Sequence, residues 1–400
     1  MITAVYNVYF VSVVAENRPA ATLIWTLALS ASYLLVLVTA PLLGAIADYS
    51  ACKKQLLVWT TSLCVLATAA LATTGRGDIW LASGLIIVSN TFYAAGENLI
   101  AAFLPELAPP EDVGKLSGYG WAWGYIGGLV ALALCLVYLR TAVAGGATEA
   151  EVVPHTALIV AALFAVAAMP SFLWLRESRS RGQLDGFTEY IRVGFGRVGS
   201  TLREARRFGD LFRLLLCIGA YSAGVTVVST VAGVYAQQVL QLTQVETISL
   251  LVVVNLSAAA GAFAFGYLQD LFGSKRTIAL TLVLWTATTL GAAFIETTLQ
   301  LFLIGNMAGI AIGSSQSAGR AMVALFSPTD KAAEFFGLWG MAVKAASIVG
   351  PLTYGITNYL TSSHRIAVAI TTIFFLAGLA LLWQVDEERG RRIAEAYVEG

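Results

Sequence analysis

Three charged residues stand inside long apolar runs of this 400-residue chain: Glu97, Arg320 and Lys344. A full charge at a bilayer centre costs about 2.5 to 3.5 kcal/mol on insertion scales, so each needs a reason to be there. A carboxylate that takes up a proton and releases a facing guanidinium is a proton-coupled gate; a static pair that fixes helix register is the architectural alternative. Lys344 comes ten residues into its run, about 15 Å deep if helical. Four methylenes do not easily carry an ammonium from that depth to water, so it is expected to face a cavity and hold a substrate carboxylate or tether one such as Glu97.

Polar neighbours can complete a site for a small zwitterion or anion. They are Asn90 and Asn98 beside Glu97, Gln316 beside Arg320, and Tyr125. At helical spacing Asn90 and Glu97 share a face, as do Gln316 and Arg320 at i and i+4. Trp121, Trp123 and Trp339 read first as packing or interfacial residues and second as a substrate wall. Gly120, Gly124 and Gly128 form a GxxxGxxxG row; with no strand before it, the row is read as close helix packing rather than a nucleotide loop. Pro351, after Gly350, marks a weak point in its helix.

Several chemistries are set aside. Cys52, Cys64, Cys135 and Cys217 have no CxxC spacing, and His155 and His364 begin apolar runs instead of sitting within them. Neither a disulfide framework nor a metal site nor a buried histidine relay follows, and no cofactor is expected. The phosphate-binding pattern GxxxxGK[ST] does not occur, so direct drive by ATP is not expected.

The elements that position these residues are membrane spans. Hydrophobic residues make up 58% of the chain and charged ones 12%, against roughly 25% charged in a soluble domain. With 24 cations and 24 anions the net charge is zero, which argues against nucleic acid as a partner. Eleven runs are long enough to cross a core of about 30 Å: 20–47, 55–74, 78–103, 117–139, 154–175, 211–239, 246–269, 277–295, 299–325, 334–360 and 364–384. Residues 1–14 are apolar but shorter, and are read as the second half of a twelfth, truncated span; no basic segment and cleavage pattern mark a signal peptide. Counting that partial span as the first, Glu97 is on the fourth, Tyr125 on the fifth, Arg320 on the tenth and Lys344 on the eleventh.

Lys and Arg in alternate loops divide 18 to 4 when the loop at 48–54 is counted inside, which places that loop and the carboxyl end in the cytoplasm. The polar stretch 176–210, with eight Arg and five acidic residues, separates the sixth and seventh spans. It is read as a basic linker held against anionic lipid, with partner binding as the alternative. The expected organisation is an amino-terminal helix bundle over 1–175, the linker, a carboxyl-terminal bundle over 211–384 and a tail over 385–400.

Two loops repeat one pattern at an offset of 222 residues: Gly44, Asp48, Lys53 and Lys54, then Gly266, Asp270, Lys275 and Arg276. The glycine permits close helix approach, the Asp can accept hydrogen bonds from a helix N-terminus across the loop, and the paired cations are expected to anchor the turn at the headgroups. Glu97 follows Asp48 by 49 residues and Arg320 follows Asp270 by 50, so they occupy equivalent positions in two halves.

The repeated loop resembles the GxxxDRxGRR signature of the major facilitator superfamily, with Tyr49 and Leu271 in place of the arginine after Asp and Ala51 in place of the first copy's glycine. Three further stretches, 102–128, 313–328 and 333–355, are similar to the branch holding the autophagy-related vacuolar amino-acid effluxers and their bacterial relatives. The resemblance implies an all-α membrane fold of two six-helix halves in pseudo-twofold repeat, with Glu97 and Arg320 facing each other across the axis. It further implies a secondary transporter exporting amino acids or related metabolites by alternating access in a bacterial inner membrane; the buried charges point to proton coupling through Glu97, and a monomer is expected. Efflux of other organic solutes, and a non-transporting receptor or assembly factor on the same fold, are the alternatives. An integral-membrane enzyme fits less well, because no histidine lies inside a span.

Overall fold

The computed structural model of the chain describes residues 2–16, 18–176, 192, 194–196, 199 and 208–399, so most of the expected linker lies outside the described residues. Every regular element among them is helical. The order is α1 (Ile2–Tyr9), α2 (Ala21–Ser50), α3 (Lys53–Ala70), α4 (Ile79–Ala101), α5 (Val113–Ala144) and α6 (Glu149–Trp174). There follow α7 (Gly209–Leu240), α8 (Gln244–Phe272), α9 (Ser274–Ala293), α10 (Thr298–Phe326), α11 (Ala332–Thr361), α12 (His364–Trp383) and α13 (Glu387–Glu399). Among the described residues eleven helices are long and apolar enough to cross a membrane, matching the eleven runs in the sequence. The protein is an integral multi-pass membrane protein.

Helix ends run further than hydropathy indicates at the face that carries the 48–54 and 270–276 loops, called here the loop face. The run 20–47 is the expected span, but α2 continues to Ser50 and closes with Ala51 in the left-handed region at φ 46°. Polar residues extend such helices beyond the apolar stretch because their side chains find partners there. At the opposite, far face, helices begin on their own caps: Thr243 Oγ1 accepts the Glu246 amide, Thr297 Oγ1 that of Gln300 and Ser363 Oγ that of Ile366. α11 runs unbroken through Pro351.

Two long contacts join the halves, α2 along α11 and α5 along α8. In lipid there is no hydrophobic drive between helices, so small residues that let backbones meet decide where they pack. A Cβ at Gly337 would fall 2.7 Å from Pro41 Cα, and one at Gly118 would fall 2.6 Å from the Ala262 carbonyl oxygen. Near the loop face these contacts merge with a core containing Phe103, Phe326, Phe335 and Phe336. At the other end of the molecule α1 and the wide turn Phe10–Val14 pack Tyr6, Tyr9 and Phe10 around Trp25, with both tyrosine hydroxyls on Thr74.

Candidate gating and substrate site

The duplicated carboxylates do not cap the helix that follows them in the chain; each reaches the opposite half. Asp48, at the end of α2, accepts the amides of Ala333 at 3.2 Å and Glu334 at 2.7 Å in the first turn of α11. Asp270, at the end of α8, accepts those of Gly114 and Lys115, both at 2.9 Å, in the first turn of α5. Neither α5 nor α11 has a side-chain cap of its own at that end. A carboxylate there meets free N–H groups and the positive end of the dipole together. Gly44 and Gly266 allow the approach: a Cβ at Gly44 would lie 3.0 Å from Glu334 Cα, and one at Gly266 would lie 2.9 Å from the Gly114 carbonyl oxygen.

The cations depart from their expected place at the headgroups. Lys53 is buried, 3.2 Å from Asp48 and 2.8 Å from Glu106, with a further bond to the Thr329 carbonyl. One buried ammonium and a helix N-terminus thus stand against two carboxylates, a nearly balanced cluster, which is the condition for tolerating buried charge. In the second copy Lys275 donates to the carbonyls of Trp383 and Val385, while Glu387 from α13 accepts the amides of Ser274 and Lys275 at 2.9 Å each. Lys54 is half-buried and Arg276 is exposed. The two copies share spacing and the use of Asp, but not the use of lysine.

Glu97 and Arg320 line one cavity of about 360 Å³ together with Tyr93, Gly120, Trp121 and Gly124. They do not form the expected ion pair. Arg320 turns to α5 instead, its Nε donating to Ser117 Oγ at 3.1 Å and its Nη2 to the Ser117 carbonyl at 2.7 Å, with the guanidinium 5.3 Å from the Trp121 ring centre. Among the described residues the Glu97 carboxylate has no hydrogen bond or ion pair, so it remains available to a ligand or a proton.

The remaining candidates disperse. Gln316 accepts a long bond from the Tyr125 hydroxyl at 3.4 Å, and Tyr125 stacks on Trp121 at 5.9 Å. Lys344 is half-buried with its ammonium 5.8 Å from the Tyr33 ring centre, a cation–π contact to α2 in place of a carboxylate. Asn90 donates to Ser32 on α2 at 2.5 Å. Asn98 lies outside the Glu97 cavity: it is buried where α4 meets α11, over Gly340, with its Nδ2 unpartnered. The glycine row is likewise not a packing seam. A Cβ at Gly124 or Gly128 would meet nothing within 4 Å, and the close crossing uses Gly114 and Gly118 instead.

The family described as "Vacuole effluxer Atg22 like" matches residues 8–395. The chain belongs to this family. It is 28% identical over 407 residues to an uncharacterized MFS-type transporter, YxiO, of Bacillus subtilis, covering 98% of this chain and 92% of that one. It is 23% identical to autophagy-related protein 22 of Kluyveromyces lactis, over 86% of this chain and 74% of the relative. In fold it is similar to the human organic anion transporter MFSD10, with a TM-score of 0.69 at 18% identity over 94% of this chain and 88% of that one. The chain is therefore a major facilitator superfamily transporter of the Atg22 branch, not an enzyme, and the two six-helix halves expected from the repeat follow from that fold.

Within this family frame, several functional contacts carry no sequence signal. Ser117 is one small residue among many, and nothing in its neighbourhood announces a guanidinium 203 positions away. Glu106 as a partner of Lys53, and Asp210 as acceptor of both Arg389 and the Asp386 amide, are equally silent. Trp121 reads first as packing and second as a substrate wall, and it is the second place that it takes: it lines the Glu97 cavity with its indole N–H buried and unpartnered.

Proposed function

We propose that this transporter works by alternating access, exporting amino acids or related small metabolites, with the present conformation closed at the loop face. The observation that supports this most directly is the pair of caps contributed by Asp48 and Asp270 to helices of the opposite half. Bonds of this kind exist only while the halves are pressed together, so they favour one conformation and a ligand or proton can bias the balance. The loop face is assigned to the cytoplasm of a bacterial inner membrane, with the carboxyl end on that side, from the 18 to 4 distribution of cations. Glu97 is assigned as the proton-coupling group because its carboxylate is unpaired in a cavity that also holds Arg320. The effluxer description of the family favours export, and the protein is taken to act as a monomer.

The test is counterflow into proteoliposomes loaded with unlabelled amino acids, following entry of labelled neutral ones with and without a pH gradient. Entry above protein-free vesicles is expected, with accumulation that follows the gradient. No entry with folded protein across the neutral amino acids rejects the substrate class, and accumulation indifferent to the gradient rejects proton coupling.

A further inference from the structure

A second cavity of about 360 Å³ opens inside the carboxyl-terminal half. Val228, Ala232, Leu250, Val254, Leu301 and Ile304 form much of its wall; among the described residues none that line it is charged, and only Trp121 and Tyr125 come from the amino-terminal half. It extends to Thr288 and Ala292 on α9 and to Val368 on α12, behind the helices that meet the other half. It therefore lies mostly within one bundle, with α5 of the other half closing one side.

Volume and chemistry say what fits. An apolar cavity of about 150 Å³ accepts one benzene, and sites for drug-sized ligands begin near 300 Å³. This chamber exceeds the space that any single amino-acid side chain needs. Elsewhere these helices close to backbone contact through glycine, so the open chamber is a departure from their packing. The Glu97 and Arg320 cavity adjoins it, since Trp121 lines both, and Gln316 at the apolar chamber is one turn from Arg320 on α10.

We propose that the cargo is an amphiphile: its carboxylate head occupies the Glu97 and Arg320 cavity, and an apolar group of two-ring or medium-chain size occupies the carboxyl-terminal chamber, with Trp121 as the shared wall. The inference deepens the transporter reading and rests on it. Arg320 supplies the charge for the head, and the mostly aliphatic chamber, whose polar exceptions include Ser229, Asn255 and Gln316, favours an apolar group over a charged extension.

The experiment is binding of N-acetyl-, N-butanoyl- and N-octanoyl-leucine to the full chain in nanodiscs by titration calorimetry, with octanol as the headless control. Each buried methylene strengthens binding, so the octanoyl compound is expected to bind at least about tenfold tighter than the acetyl one. Ala232→Phe and Val228→Phe, each placing a ring in the chamber, should bring that ratio to about one. Folding of the variants is checked by thermal unfolding, and if neither folds, the unmodified protein's series decides alone. Equal affinities across the series, a ratio that survives both substitutions, or octanol binding as tightly as octanoyl-leucine would overturn the proposal, the last marking a void for lipid tails. Counterflow of leucine and of the N-acyl compounds separates the two readings. Transport of leucine with a flat binding series removes the chamber and keeps the transporter, whereas chain-length-dependent binding without counterflow keeps the chamber and removes transport.

Discussion

The carboxylate of Asp48 accepts the amide hydrogen of Glu334 at 2.7 Å, joining residues 286 positions apart. With Lys53 and Glu106 in the same buried cluster, this bond ties the α2–α11 side of the closed loop face to a single carboxylate.

Asp48→Asn keeps one acceptor oxygen and loses the charge that Lys53 pairs with. An interaction of about 1–3 kcal/mol between states changes their ratio about 5- to 150-fold. In a background without the four native cysteines, Asn98→Cys reports closure, because position 98 is buried at the α4–α11 contact. Its reaction with a water-soluble thiol reagent should accelerate within that range when Asp48→Asn is added, and an unchanged rate would show that the cap does not hold the face shut.

Glycine substitutions should separate by place. Gly118→Ala sets a methyl 2.6 Å from a backbone oxygen, an overpacking expected to cost about 1–3 kcal/mol. Gly124→Ala meets open space and removes a glycine from a helix interior, worth up to about 1 kcal/mol in the stabilising direction. Thermal unfolding in detergent distinguishes them, and equal losses at both positions would contradict the crossing geometry described.

Glu97→Gln is expected to retain exchange of substrate across the membrane and to lose accumulation against a gradient, since the amide keeps shape and hydrogen bonding but cannot carry the proton. Uphill transport by the Gln variant at the normal level would remove Glu97 from the coupling step.

Ser117→Ala deletes one of two bonds to Arg320, leaving the carbonyl contact at 2.7 Å. A net hydrogen bond is worth about 1 kcal/mol, so ligand affinity should fall about fivefold or less. Arg320→Ala removes the guanidinium itself and should lower affinity for a carboxylate ligand by more than about tenfold. Titration of both variants with one ligand decides it; a larger loss in Ser117→Ala would mean that Ser117 touches the ligand directly.

The tail should be held through Asp210, which accepts from the Arg389 side chain at 2.5 and 2.7 Å and from the Asp386 amide at 3.0 Å. Hydrogen bonding to Asp210 raises the Arg389 pKa above its ordinary value. A raised pKa in a cation gives stability that is lost only as pH rises through it, so the docking should not change between about pH 5 and 9. Asp210→Ala should expose Arg391 and Arg392 to trypsin several-fold faster, and equal cleavage rates would show that α13 is held by packing alone.

How much of this was legible follows from what leaves a trace along the chain. Eleven spans were readable because each must fill a bilayer by itself, and the repeated Gly, Asp and cation spacing announced two halves. The partner of Asp48 was not readable: a carboxylate records that it needs amides, not which helix supplies them. Glu97 and Arg320 were placed in one cavity by repeat arithmetic, but their pairing failed because Ser117 offers the guanidinium two oxygens at shorter range. The Gly120 row misled for a related reason, since GxxxG states that a neighbour can come close, while Gly114 and Gly118 are where one does.

Helices α8, α10 and α12 begin on caps of their own, whereas α5 and α11 borrow theirs from the other half. When the halves part, the freed amides of α5 and α11 need new acceptors at once, and water is the only abundant one. Hydration of the loop face and its opening therefore become a single event. Excluded osmolytes such as sucrose, which disfavour newly wetted surface, should act as a brake on the cycle from the loop side, and osmotic strength becomes a physical input to the transporter independent of its cargo.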